Sequence, residues 1–137
     1  IGAALAAPSR PVVALVGDGG LQFSLSELTS AVEARAPVIL MLHDNSGYGE
    51  IKSHMLAQGI TPLGVDILTP DLAAIAQACG WQADLLLSMN DLPAKLIAAA
   101  RSGRPSVLIV KDLSSGAPNP SAGGNPVSGD PIPALPG

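Results

Sequence analysis

Val16-Gly17-Asp18-Gly19-Gly20-Leu21-Gln22-Phe23 is the stretch on which the fold turns. It follows an apolar run, Pro11 to Val16, and precedes a helical pattern beginning near Ser24. That order is strand, glycine turn, helix. Glycines let backbone N–H groups approach a ligand closely, and a helix N-terminus behind them favours negative charge. An acid inside the turn, Asp18, is out of place against a bare phosphate. It fits if a divalent cation lies between the carboxylate and phosphate oxygens. A second polar turn, His43-Asp44-Asn45-Ser46-Gly47, follows the apolar run Val38 to Leu42. The expected fold is therefore α/β, an open and mostly parallel sheet with helices on both faces. Such sheets bind ligands outside the carboxyl ends of their strands, where the two turns would lie side by side.

Gly17-Asp18-Gly19 followed by Asn45, 27 positions after Asp18, resembles the diphosphate-binding motif of thiamine diphosphate enzymes. The likeness is to the carboxy-terminal domain of the acetolactate synthase and 2-oxo acid decarboxylase group. It runs from about Ile1 to Asp112 and includes Gly20-Leu21-Gln22-Phe23, Glu27-Leu28, Ala36-Pro37-Val38 and Asn45-x-x-Tyr48-Gly49. A lone glycine-rich loop is a weak signal. The loop with an asparagine at this distance, each after its own strand, is a strong one.

The resemblance implies thiamine diphosphate and Mg²⁺ as cofactors. It implies Asp18 and Asn45 as side-chain ligands of the cation, with Gly47 adding its backbone carbonyl. Gly17, Gly19 and Gly20 would cradle the diphosphate, and Ser46, Tyr48 and Gly49 would lie against the diphosphate or thiazolium end. The implied activity is decarboxylation of a 2-oxo acid, with or without carboligation, the cofactor serving as electron sink. In that family a glutamate on a separate pyrimidine-binding domain activates the cofactor. No carboxylate here maps to it, so no catalytic residue is assigned. The chain then looks like the carboxy-terminal part of a larger polypeptide, inactive alone. Its implied partners are a 2-oxo acid and the pyrimidine-binding domain of another subunit, in a homodimer or homotetramer. A structural FAD is not indicated.

Each of these residues also has a plain structural use. Asp18 alone reads equally well as an ordinary turn aspartate, and Gly19 and Gly20 satisfy a tight turn whatever they bind. A lone tyrosine such as Tyr48 is more often a packing residue with a tethered hydroxyl. His43 and Asp44 read as pocket-lining. Zinc is disfavoured, because His43 and His54 are the only histidines and Cys79 has no ligand spacing to them.

Glu50 is a departure, since acetolactate synthase-like relatives commonly carry an apolar residue there, facing substrate. A carboxylate would favour a cationic substrate tail. Gly47-Tyr48-Gly49-Glu50-Ile51-Lys52, with Gly64-Val65-Asp66-Ile67 downstream, is similar to a subgroup that decarboxylates 5-guanidino-2-oxopentanoate. Alternatively Glu50 sits in the first turn of a helix, favoured by its dipole, or pairs with Lys52 or His54.

Composition narrows the classes further. The chain has 137 residues, 47% hydrophobic and 13% charged, with a net charge of −4. That suits one domain with a sizeable core and excludes a disordered or nucleic-acid-binding composition. One cysteine rules out an intramolecular disulfide framework and suits the cytoplasm. No apolar run reaches the length of a membrane span. So apolar a chain is expected to bury a further face against a partner.

Strands are expected at Pro11–Val16, Val38–Leu42, within Trp81–Leu87, and at Pro105–Lys111. Val38–Leu42, apolar throughout, is expected to be central. Helices are expected at Ile1–Ala7 (the end of a truncated helix), Ser24–Arg35, Glu50–Leu56 and Leu92–Arg101, the last started by Asn90 or Asp91. Another opens at Thr69-Pro70-Asp71, with Thr69 as N-cap, and stops at Gly80. Residues 1–112 form the expected cofactor-binding domain, N-terminally truncated. Residues 113–137, rich in Pro, Gly and Ser, read as a disordered tail.

Two other classes compete. A nicotinamide- or flavin-binding domain would need G-x-G-x-x-G, but Gln22 stands at the third glycine position and the acid lies inside the loop. A binding or regulatory module could keep the fold without catalysis.

Overall fold

The computed structural model describes residues 1–111; the expected tail, 113–137, lies outside them. Four strands form one all-parallel sheet in the order β1-β2-β4-β3. In chain order the elements are α1 (Gly2–Ala6), β1 (Val12–Gly17), α2 (Asp18–Gln22), α3 (Glu27–Glu33), β2 (Val38–Asp44) and α4 (Gly49–Ala57). They continue with α5 (Leu72–Ala78), β3 (Gln82–Leu86), a 3₁₀ turn (Met89–Asp91), α6 (Leu92–Ser102) and β4 (Ser106–Lys111). As expected, β2 is interior, hydrogen-bonded to β1 on one side and β4 on the other.

Alternation along the strands splits the core into two layers. Val38, Leu42, Val107 and Ile109 face one side, packed with Leu21 of α2, Leu28 and Ala31 of α3, and Leu72 and Ala76 of α5. Ile39, Leu108 and Leu86 face the other, where Ala99 of α6 covers them. Apolar runs without polar interruption are what a parallel sheet covered on both faces requires.

Three expectations are corrected in detail. The Gly17–Gly20 stretch is not an open turn leading to a helix at Ser24. Gly17 is extended (φ −85°, ψ 160°) and helix α2 begins at once with Asp18. Residues 23–26 are turn, and α3 starts only at Glu27. Second, α3 ends before Ala36-Pro37 because Arg35 takes a left-handed conformation, φ 50°. Its N–H bonds the Val32 carbonyl and the Ala36 N–H bonds Ala31, the paired closure usually built on glycine. Third, Thr69 does not cap α5. Asp71 does, its carboxylate accepting from the Ala74 N–H at 2.9 Å. Thr69 is instead committed to Asp18, its hydroxyl donating to Asp18 Oδ2 at 2.6 Å. The next helix likewise opens through Ser88, whose hydroxyl accepts from Asn90 N–H ahead of the 3₁₀ turn.

Trp81 locks β3 to α3. Its ring is 5% exposed and its indole Nε1 donates to the Leu28 carbonyl at 2.7 Å. Trp81→Phe removes that donor and leaves a void, so the expected loss of unfolding free energy is about 1–3 kcal/mol. Urea denaturation measures it; an unchanged midpoint would mean that the indole bond contributes nothing net.

Candidate functional site: the turns after β1 and β2

The two polar turns lie side by side because β1 and β2 are adjacent and in register, Gly17 opposite His43. Around them is a cavity of about 310 Å³ lined by Gly17, Asp18, Gly19, Gly20, His43, Asn45, Gly47, Tyr48, Gly49, Glu50 and Ile51. Of the residues singled out from the sequence for the cofactor, the cation or the substrate, all but Ser46 are in that lining. Ser46 has a left-handed backbone, φ 58°, and its N–H bonds the Asp44 carboxylate at 3.1 Å. That tight local turn brings Asn45 and Gly47 back toward Asp18.

Asp18 is the buried charge of the site, 1% exposed. Its Oδ2 accepts from the Gly47 N–H at 3.1 Å and from the Thr69 hydroxyl at 2.6 Å. The Asn45 amide has one terminal atom 3.1 Å from Asp18 Oδ1 and 2.8 Å from the Gly47 carbonyl oxygen. Both neighbours are acceptors. Without a cation that atom is the amide nitrogen, donating to both; the assignment follows from the partners. Turning the amide over would set three oxygens facing one another. That arrangement is repulsive alone and favourable around a hard divalent ion, which takes carboxylate, amide and carbonyl oxygens. The donor set therefore fits Mg²⁺.

The glycines are required by close approach as much as by any ligand. A Cβ at Gly19 would lie 2.6 Å from the Tyr48 ring, so Tyr48 packs directly over the first turn of α2. A Cβ at Gly49 would lie 2.5 Å from the Asn45 amide, and one at Gly47 would lie 2.6 Å from the Val65 carbonyl oxygen. First-turn N–H groups of a helix have no carbonyl partner within it, which leaves those of α2 available to a ligand.

Two contributions escaped the sequence. Thr69 reaches Asp18 from 51 positions away. The Val65-Asp66 segment pins the second turn, Gly47 forming an antiparallel bridge with Asp66 and Tyr48 N–H donating to Val65 O at 2.8 Å. The one local signal was that Asp71 can cap α5, which frees the Thr69 hydroxyl. Lys52 pairs with Asp66 at 2.8 Å, not with Glu50. Glu50 stands exposed in the first turn of α4, with no ion pair among the described residues.

Comparison with known proteins places these observations. Residues 1–110 match the family model described as thiamine pyrophosphate enzyme, C-terminal TPP binding domain. The chain is 42% identical over 81 residues to a Pseudomonas aeruginosa protein described as "Probable 2-ketoarginine decarboxylase AruI", covering 58% of this chain and 14% of that one. It is 30% identical to 3D-(3,5/4)-trihydroxycyclohexane-1,2-dione hydrolase of Bacillus thuringiensis, over 82% of this chain and 20% of the relative. Among solved structures it superposes on the thiamine diphosphate-dependent 4-hydroxybenzoylformate decarboxylase of Rhodococcus jostii RHA1 with a TM-score of 0.73 and 28% identity, over 81% of this chain and 21% of that one. Benzoylformate decarboxylase of Polynucleobacter necessarius gives a TM-score of 0.71 at 28% identity, over 78% of this chain and 20% of that one. The chain thus spans a fifth or less of the length of these curated relatives.

Proposed function

Because the chain belongs to the thiamine pyrophosphate enzymes, matching their C-terminal TPP-binding domain, we propose that its two turns bind the cofactor diphosphate through Mg²⁺, in an enzyme that decarboxylates a 2-oxo acid. The observation that carries this is the convergence of Asp18 Oδ1 and the Gly47 carbonyl oxygen on one terminal atom of the Asn45 amide, at 3.1 and 2.8 Å, at the carboxyl ends of adjacent strands. Asp18, Asn45 and Gly47 hold the cation. Gly17, Gly19 and Gly20 allow the diphosphate close to the backbone, and Tyr48 and Gly49 close the cavity above them. When bound, the cofactor supplies an electron sink for loss of CO₂. The residues of this chain anchor and orient it; they move no proton. Activation is left to a carboxylate on a pyrimidine-binding domain, contributed by a partner subunit of a homo-oligomer in the cytoplasm. Exposed apolar side chains such as Leu15 (78%) and Phe23 (81%) supply surface for that partner.

The test is calorimetric titration of thiamine diphosphate into the full natural polypeptide that contains residues 1–137, with Mg²⁺ and with EDTA. Binding that requires Mg²⁺ is expected. Metal-independent binding of equal strength would remove the cation from the scheme.

The substrate follows from Glu50. It lines the same cavity and, with Lys52 held by Asp66, is free to meet a ligand. A carboxylate at the cavity rim selects a cationic tail, a guanidino group above all, by charge-assisted bidentate bonding. The 42% identity to the 2-ketoarginine decarboxylase relative supports that choice. Glu50→Gln is expected to lower kcat/KM for 5-guanidino-2-oxopentanoate by about 10–100-fold, the scale of one charge-assisted bond, and to leave aliphatic 2-oxo acids nearly unaffected. An unchanged preference between the two would refute the role.

A further inference from the structure

The two oxygens of the Asp18 carboxylate are in different situations. Oδ2 accepts from the Thr69 hydroxyl at 2.6 Å and from the Gly47 N–H at 3.1 Å. Among the described residues Oδ1 has the Asn45 amide alone, at 3.1 Å. The torsion that swings a carboxylate is broad, so an aspartate without such partners would sample a range of angles, few of which aim an oxygen at a ligand. Burial of Asp18 to 1% exposure makes each hydrogen bond count, since little water reaches the group. Among the described residues the Thr69 hydroxyl has no other partner, because Asp71 caps α5 in its place. It comes from the segment entering α5 rather than from β1 or β2, and so braces the site from a third element.

Resting on the cation site proposed above, we infer that Thr69 is a positioning residue: it commits Oδ2 of Asp18 and leaves Oδ1 to face the cation. Mg²⁺ demands near-octahedral oxygens at short distance and tolerates misplacement poorly. Loss of a partner that orients a metal ligand from behind typically costs about 10–100-fold in metal affinity. The hydroxyl does this by its donor, and its methyl group is incidental. Loss of the donor frees the carboxylate to turn, at an entropic cost that the cation then has to meet.

The decisive experiment compares Thr69→Val, which keeps the branched shape and removes the donor, with Thr69→Ser, which keeps the donor. Both are made in the full natural polypeptide that contains residues 1–137. The readout is Mn²⁺ binding in the presence of thiamine diphosphate, from the electron paramagnetic resonance signal of free Mn²⁺. Thr69→Val is expected to weaken Mn²⁺ binding about 10–100-fold, and Thr69→Ser to stay within about threefold of wild type. A purely structural tie between the segment entering α5 and the start of α2 would lower the melting temperature of the valine variant without metal but leave Mn²⁺ affinity unchanged. That outcome, or tighter binding by an under-solvated carboxylate, overturns the inference while the cation site stands. If Asp18→Asn binds Mn²⁺ as well as wild type does, or wild type binds none, the cation site itself fails and the inference falls with it.

Discussion

Asp18→Asn is expected to weaken Mg²⁺-dependent binding of thiamine diphosphate by more than about 100-fold, beyond the range seen when only a supporting residue is lost. The substitution is isosteric and removes one charge. Asp18 and Glu50 are the two carboxylates in the cavity lining, and only Asp18 is buried against the Asn45 amide, which also meets the Gly47 carbonyl, the three groups proposed to hold the cation. An amide at position 18 would turn its NH₂ toward either the Thr69 and Gly47 donors or the space meant for the cation. Both placements oppose binding. The fold is expected to survive, because an unpaired buried charge is itself costly and its removal offsets the lost hydrogen bonds. Calorimetry with Mg²⁺ and with EDTA, alongside circular dichroism to verify folding, reads the effect. Folded Asp18→Asn with binding within threefold of wild type would remove Asp18 from the site.

Gly47→Ala has the second large effect, through the backbone. The added Cβ would stand 2.6 Å from the Val65 carbonyl oxygen. That oxygen cannot turn aside freely, because it accepts from the Tyr48 N–H at 2.8 Å within the bridge that pairs Gly47 with Asp66. Relief requires the second turn to separate from the Val65-Asp66 segment, which carries the Gly47 carbonyl and N–H away from Asp18. Overpacking of this kind costs about 1–3 kcal/mol. For a domain of this size each kcal/mol lowers the melting temperature by roughly 4–8 °C. Cofactor binding in Mg²⁺ is expected to fall about 10–100-fold, as for other losses around a metal site. Gly2→Ala serves as the control, since a Cβ there meets nothing within 4 Å. Thermal melts in EDTA, where no cation contributes, separate the strain from the ligand effect. A melting temperature matching that control would mean that the turn has room the geometry does not show.

Gly47 also marks where sequence reasoning changed in kind. From the sequence it was a carbonyl donor to a cation. In the structure it is in addition the residue that must lack a side chain for another segment to pass. Asn45 and Gly19 show the same layering. Gly19 lies under the Tyr48 ring, so the packing use of tyrosine and the ligand use of glycine are one arrangement rather than alternatives.

What the sequence by itself determined was the periodic part. Apolar runs marked β1, β2 and β4, and the unbroken character of Val38–Leu42 placed β2 inside a parallel sheet with helices on both faces. The two polar turns then had to meet at one sheet edge, because adjacent parallel strands bring their carboxyl ends together. These features are local or repeat at fixed intervals, so one stretch at a time suffices to read them. What only the tertiary structure decided were pairings between distant segments: Thr69 with Asp18, Val65 and Asp66 with the second turn, Lys52 with Asp66 rather than Glu50. Helix ends belong there too. The separate helix at Asp18–Gln22 and the start of α3 at Glu27 instead of Ser24 depend on how α2 and α3 lie on the sheet, not on propensity. Hydroxyls and carboxylates accept partners from many directions. Which partner arrives is set by the path of the whole chain, and no spacing along the sequence encodes it.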